Sequence, residues 1–329
     1  MEQELSIVEL KSGEKMTVVQ IVAPAPAWKE RIVPFLAHKG EPWMWAVGEG
    51  LDHGVEPATM NFFEGVLEDG TIAGNITTVE SLEPPLGLLQ HVFTPEEHRR
   101  KGVCSALMTA LTEDFTAREG RAMFLHTGYD SAAYHIYHSF GFEGYRDTGT
   151  MYWVREEGFR DRLFAPRATS VRDTHWGDWA PLEPLVETED GWHVRSVYLG
   201  QYGFSGFEGN YLTLRRAMMD GPVHQVKVLE AEGGAIVGYA LVADLRGWPG
   251  SPGVLDFFVH PDFLGDGEKL LAATDVPEGR KVLAFADSAS DGKADMLEGA
   301  GFELEATLKR QMSDSGGREL DLLIFSRHA

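Results

Sequence analysis

The chain has 329 residues, of which 43% are hydrophobic and 24% charged, and carries a formal charge of −22. That length suits two hydrophobic cores better than one, and no apolar run approaches the about 20 residues of a bilayer-spanning helix. Residues 1–167 hold 15 basic and 25 acidic side chains and residues 168–329 hold 14 and 26, so neither half has the Lys/Arg excess with which proteins grip nucleic-acid phosphates.

Residues 16–22 are rich in β-branched side chains and predict a strand; residues 27–50 predict helix, interrupted at Pro34 and Pro42. Residues 59–67 and 71–79 flank the turn signal Glu68-Asp69-Gly70 and predict a pair of strands. Another strand covers 86–94. From Gly102 to Thr116 apolar residues recur at Val103, Leu107, Ala110, Leu111 and Phe115, the spacing of an amphipathic helix. A buried strand at 121–127, a helix at 131–140 ended by Gly141, and a strand at 149–154 complete this half. A charged stretch with one proline, 156–170, marks a break, and we place the domain boundary between 167 and 168. Beyond it, strands are expected at 225–229, 236–243, 253–260 and 281–286, with helices near 268–273 and 293–299. A strand, a Pro- and Gly-bearing loop, a helix, a strand, a helix and Gly-Phe occur once over 86–142 and once over 253–302. A repeat of that size means two copies of one domain rather than a solenoid.

The segment from Leu88 to Leu107 runs a buried strand into a basic, glycine-bearing loop that opens a helix. A helix N-terminus presents unpaired N–H groups and a partial positive charge. Gly102 permits close backbone approach, and Arg99, Arg100 and Lys101 add charge, so a pyrophosphate suits the place. Neither G-x-x-x-x-G-K-[ST] nor G-x-G-x-x-G is present. A solvated basic loop is the plainer reading of this loop taken alone.

Arg99-x-x-Gly102-x-Cys104 after a strand and before a helix resembles the acyl-CoA loop of the GNAT superfamily of N-acetyltransferases. Cys104 stands where that family has Gly or Ala. The segment from Asp130 to Phe142 resembles the family's closing motif, matching at Ala133, Tyr137, Gly141 and Phe142, with Asp130 where Asn is common. The resemblance implies an α+β fold, the three-layer α/β/α acyl-CoA N-acyltransferase fold. Its sheet is mixed and mostly antiparallel, with a splayed central pair, and here it would come in two tandem copies. It implies that acetyl-CoA is the acyl donor and that the amides of Arg100, Lys101, Gly102, Val103, Cys104 and Ser105 hold its pyrophosphate. Val92, Phe93 and Thr94 would lie along the pantetheine arm, with a backbone N–H near Val92 polarising the thioester. Tyr137 would protonate the departing thiolate; a tyrosine at helical spacing is more commonly a packing residue.

His126 and His91 are the local candidates for a base, since histidine titrates in the useful range. Cys104, the sole cysteine, excludes an internal disulfide and a cysteine-rich zinc site; it reads as a packing residue. No metal is expected. In the second copy the loop Asp262–Glu268 is acidic and Leu297 stands where the first copy has Tyr137. A degenerate GNAT-like domain without acyl-CoA is therefore expected at 168–329, after a working domain at 1–167. The aromatic stretch Trp192–Tyr211 is a candidate cover for the amine pocket.

These readings add up to N-acetyl transfer to a small-molecule amine or a peptide amine, without nucleic-acid or membrane partners. The acidic field favours cationic acceptors. The acidic opening residues lack a basic-then-apolar signal, so a cytoplasmic location is expected. The alternatives are a non-catalytic acyl-CoA-sensing regulatory or scaffold protein, and a tandem enzyme for a larger acceptor. The sequence leaves the acceptor, the acyl length and any homodimer open.

Overall fold

The computed structural model describes residues 1–245, 247, 249–290 and 292–328. It divides into two compact units, one of Met1–Phe159 with His175–Pro181, the other of Arg160–Thr174 with the chain from Leu182 onward. The division falls a few residues before the boundary expected at 167. The reason is local: Arg160 donates to the carbonyl of Pro184 and to Glu187, and Arg167 donates to the carbonyl of Glu232.

The first unit comprises β1 (Glu2–Glu9), β2 (Lys15–Val22), α1 (Pro26–Leu36), α2 (Trp43–His53), β3 (Thr59–Leu67), β4 (Ile72–Glu80) and β5 (Leu86–Phe93). There follow α3 (Val103–Ala117), β6 (Ala122–His126), α4 (Ala132–Ser139), β7 (Glu143–Gly144) and β8 (Thr150–Val154). Its sheet runs β1-β2-β3-β4-β5-β6-β8-β7, antiparallel throughout except β5–β6. Next along the chain come α5 (Phe159–Leu163) and α6 (Trp179–Val186), both of which cross the division, and in the second unit β9 (Thr169–Asp173), β10 (Val194–Ser196), β11 (Gln201–Tyr202), α7 (Glu208–Asp220) and β12 (Val223–Ala231). The remaining elements are β13 (Ile236–Asp244), β14 (Gly253–Val259), α8 (Gly267–Ala272), β15 (Lys281–Asp287), α9 (Lys293–Gly299), β16 (Glu303–Ser313) and β17 (Glu319–His328). Its main sheet runs β16-β17-β15-β14-β13-β12-β9, and again one central pair, β14–β15, is parallel. Two mixed, largely antiparallel sheets are thus present, with the same strand order around the parallel pair.

In the first unit the strand alternation separates two covered faces. Val18, Phe63, Ile76 and Leu89 form one core with Val103, Leu107, Leu111 and Phe115 of α3 and with Tyr137 of α4. The opposite face lies under α1 and α2: Met60 packs against Gly50, and Phe93 meets the ring of Phe35. Each large apolar side chain buried under α3 contributes about 1.5–3 kcal/mol. A Cβ on Gly74 would stand 2.5 Å from Cγ1 of Val103, so this glycine lets the first turn of α3 press onto β4. Arg118 ties the far end, donating to Glu80 at 2.5 Å and to Asp114 at 2.6 Å. Helix α1 runs through Pro34, against the expected interruption. The proline sits in the last turn, where only one ladder bond is lost.

Candidate active site

The parallel pair β5–β6 is joined only from Leu86–Leu88 to Ala122–Phe124. Beyond that, β5 runs on to Phe93 and β6 to His126 without pairing to each other, so the expected splay is present. On its other edge β5 pairs Gln90 with Thr77 and Phe93 with Asn75, leaving His91 and Val92 in a bulge opposite Ile76. His91 takes φ 50 there, and Asn75 Nδ2 donates to its carbonyl at 2.8 Å. His91 and Val92 therefore lie outside both ladders, at the mouth of a wedge whose walls are backbone. Bulges next to such openings re-aim backbone groups.

After Thr94 the chain turns through the basic loop into α3. Arg99 donates from Nε to the carbonyl of Thr94 at 3.1 Å. Lys101 pairs with Glu14 at 2.9 Å, and its carbonyl accepts from the amide of Lys11 at 3.0 Å. Arg100 and Gly102 take left-handed φ values of 62 and 97, and open space surrounds the Cβ position of Gly102. Helix α3 has no side-chain cap. Its ladder begins with the amide of Ala106 donating to the carbonyl of Gly102 at 3.0 Å, so the amides of Val103, Cys104 and Ser105 open the helix without an acceptor inside it. Exposed Arg99 and Arg100 flank that turn. Uncapped amides, a partial positive charge, two cations and a glycine with open space around it fit a diphosphate.

The Val103 side chain is buried in the core rather than turned to the loop surface. The Cys104 side chain packs against the same core, and burial pushes its thiol up to about 11. A protonated thiol is a poor nucleophile. Cys104 should therefore resist maleimide labelling at pH 8 in the folded protein and react fully in denaturant. Equal rates in the two states would contradict this placement.

Tyr137 is buried on α4, its ring 6.1 Å from that of Phe142. It projects from the α3/α4 side of the sheet. Ala133 packs at the edge of the same core. Ser131 caps α4 by accepting from the amide of Tyr134 at 3.1 Å. Asp130 is exposed and pairs with His135 at 3.0 Å, a carboxylate turned to solvent rather than a buried ligand group. His126 ends β6 with Nδ1 3.1 Å from Oγ1 of Thr150. Register puts Phe124 opposite Leu88, so His126 and Gln90, two residues on, share the α1/α2 face. His91 sets its ring edge-on to Trp43, with centroids 5.5 Å apart. Burial, then the charges of Lys39 and His38, depresses its pKa to about 3. So weak a base is poorly matched to an ammonium near neutral pH, and this shifts the weight from His91 to His126.

Sequence reasoning passed over Glu64, Asn75 and Gln90, which are buried on the α1/α2 face of β3, β4 and β5. The available signal was a polar residue at an inward position of an otherwise apolar strand.

The second unit uses the same topological position differently. Strands β14 and β15 pair only from Gly253–Leu255 to Val282–Ala284 and then part. The segment Trp192–Tyr198 is fastened to both. Asp287 accepts from the amides of His193 at 3.0 Å and Val194 at 2.9 Å and from the hydroxyl of Ser290. Asp256 accepts from Ser196 Oγ and from the amide of Tyr198, each at 2.8 Å. Lys293 Nζ donates to the carbonyl of Val194 at 2.7 Å. Of the aromatic stretch Trp192–Tyr211, Trp192 and Phe207 pack in this unit's own core, against Phe257 and Tyr239, while Tyr202 is exposed. At the loop, Asp266 pairs with Lys269 at 2.6 Å, and Leu297 is fully buried.

Burial alone would raise the Asp287 carboxyl, but Ser290 and the amides of Val194 and Ala289 outweigh it and hold it below the usual carboxylate range. Its stabilisation is present above the unfolded carboxylate pKa and is lost as pH falls through the lower folded value. Asp287→Ala leaves those donors unsatisfied and should cost about 2–4 kcal/mol. A melting curve lowered by several degrees at pH 7, with the gap from wild type narrowing toward pH 3, checks this.

Residues 27–142 match the family model described as the acetyltransferase (GNAT) family. No curated protein matches the chain. Among solved structures, a ribosomal-protein-alanine N-acetyltransferase from Brucella melitensis is 23% identical with a TM-score of 0.39, the match covering 49% of this chain and 99% of that one. An N-acetyltransferase from Staphylococcus aureus Mu50 is 15% identical with a TM-score of 0.40, covering 49% and 98%. A GNAT superfamily phosphinothricin acetyltransferase from Sinorhizobium meliloti, in complex with acetyl-CoA, is 18% identical with a TM-score of 0.38, covering 48% and 87%.

Proposed function

We propose that this protein moves an acetyl group from acetyl-CoA to a primary amine, using one site in its first unit, where residues 27–142 match the acetyltransferase (GNAT) family model. The observation that carries the reading is the uncapped start of α3 behind Gly102, set beside the wedge between β5 and β6. The diphosphate lies against the amides of Arg100 to Ser105, with Arg99, Arg100 and Lys101 supplying charge. The pantetheine arm runs along Val92, Phe93 and Thr94, whose edge of β5 is left unpaired by the splay.

The two faces of the sheet divide the chemistry. The amine approaches from the α1/α2 face, where His126 takes its proton. Its nitrogen attacks the thioester carbonyl, a C–N bond forms, and the oxyanion is held by a bulge amide near Val92. The C–S bond then breaks, and Tyr137, on the α3/α4 side, gives its proton to the departing thiolate. The second unit, 168–329 in sequence terms, is a degenerate GNAT-like domain. Its own segment 192–198 is tied to both diverging strands, where the first unit receives its cofactor. The reaction belongs in the cytoplasm, where acetyl-CoA is made and used.

The test is thiol release from acetyl-CoA with a panel of primary amines, followed by mass detection of products heavier by one acetyl group. Coenzyme A binding without release on any amine would favour an acyl-CoA sensor; no binding at millimolar concentration would remove the reading.

A further inference from the structure

Beneath α1 and α2, the β3–β4–β5 register sets Glu64 beside Asn75, and Thr77 beside Gln90. Asn75 and Thr77 are two apart on β4, so all four side chains share one face. All four are at least nine-tenths buried. Asn75 spends its Nδ2 on Thr77 Oγ1 at 3.1 Å and on the carbonyl of His91 at 2.8 Å. Five polar atoms on this face have no hydrogen-bond partner: both carboxylate oxygens of Glu64, Oδ1 of Asn75, and Oε1 and Nε2 of Gln90. Buried polar groups are normally satisfied, and each orphan costs about 1–3 kcal/mol.

The orphan set has a chemical sense. Four of the five atoms are oxygens and one is an amide nitrogen that donates; once the Glu64 carboxyl is ionised, all four oxygens accept. The complement of such a surface is a group rich in N–H and positively charged. The row points at the reaction site: Asn75 holds the bulge through His91, and Gln90 stands on the face shared with His126.

We propose that Glu64, Asn75 and Gln90 form the recognition site for a cationic acceptor, an alkylammonium whose N–H groups satisfy these oxygens before transfer. The inference rests on the acetyl-transfer reading and names its substrate class. These residues bind and orient; His126 remains the base.

Burial holds the Glu64 carboxyl well above the carboxylate range, with only Arg31 of α1 opposing. The flanking residues in the register, Val19 on β2 and Asn75 on β4, carry no charge, and His91 is neutral. Burial therefore favours the protonated carboxyl in the empty site. An arriving ammonium favours the carboxylate and displaces the carboxyl proton to solvent, so capture is coupled to proton release and strengthens as pH rises toward the raised pKa.

The experiment is titration calorimetry of n-butylamine into the full chain with coenzyme A present, in two buffers of different ionisation enthalpy, with 1-butanol as the neutral control. We expect butylamine to bind with proton release and 1-butanol not to bind. Glu64→Gln should weaken butylamine at least tenfold and abolish the proton release. Gln90→Met, which keeps volume and removes both orphan atoms, should weaken it severalfold at an unchanged melting temperature, and it carries the test should Glu64→Gln fail to fold. Equal affinity for butylamine in wild type and variants, or no binding to wild type, overturns the site. Unchanged KM for amines in a variant that still releases thiol overturns the site and leaves acetyl transfer standing. Glu64-dependent binding without any thiol release overturns acetyl transfer and leaves the cation site.

Discussion

Gly102→Glu should abolish acetyl-CoA binding, with affinity falling below what calorimetry detects at millimolar ligand. Two effects add. Gly102 sits at φ 97, where a side chain costs about 1–2 kcal/mol. The added carboxylate would also stand at the N-terminus of α3, where the diphosphate is to be held, and two anions on one short stretch of amides repel. No atom lies within 4 Å of the Cβ position, so the substitution meets no packed neighbour and the fold should survive. Gly102→Ala separates the two effects: it keeps the strain and adds no charge, so it should weaken binding only severalfold. If Gly102→Glu bound coenzyme A normally, the diphosphate would belong elsewhere. Gly265→Glu in the second unit, also facing open space, is the matched control and should leave binding untouched.

Much of the scaffold around this candidate site was legible because its physics is local. A strand leading to a basic loop, a glycine and an amphipathic helix sets out a helix N-terminus in order, and Val103, Leu107, Leu111 and Phe115 fall on one buried stripe. The glycine turn between β3 and β4 was visible for the same reason. Elements held by distant partners were not. Strand β1 is exposed along most of its length and pairs only with β2, so its residues carry no alternation to read. Strand β16 is largely exposed and its pairing with β17 is interrupted by register shifts, which blurs its period. Pro34 suggested a break in α1, but a proline in a final turn removes a single ladder bond. The anchoring of the run from Trp192 could not be read in sequence because its partners, Asp256 and Asp287, lie about 60 and 90 residues downstream. Glu64 stayed hidden because its neighbours Asn75 and Gln90 meet it only across the sheet register, which is set by three strands together.

Tyr137→Phe should lower kcat about 10²- to 10³-fold while leaving acetyl-CoA affinity within a factor of about two, the range expected for losing one positioned acid. The ring is buried against Phe142 and the α3 core, and phenylalanine keeps that packing, so the change is confined to one hydroxyl. The proposed diphosphate contacts lie on another element, at the start of α3, and would not be touched. A loss of kcat without a loss of binding is the signature of an interaction that matters only as the C–S bond breaks. An acyl donor whose thiol leaving group is more acidic needs less protonation, so it should recover part of the lost rate in Tyr137→Phe and gain little in wild type. Equal kcat in the two proteins with acetyl-CoA would leave the tyrosine as a packing residue and put the departing thiolate in the care of water. A fall in binding matching the fall in rate would instead mean that α4 shapes the wedge, and that the hydroxyl holds structure rather than a proton in flight.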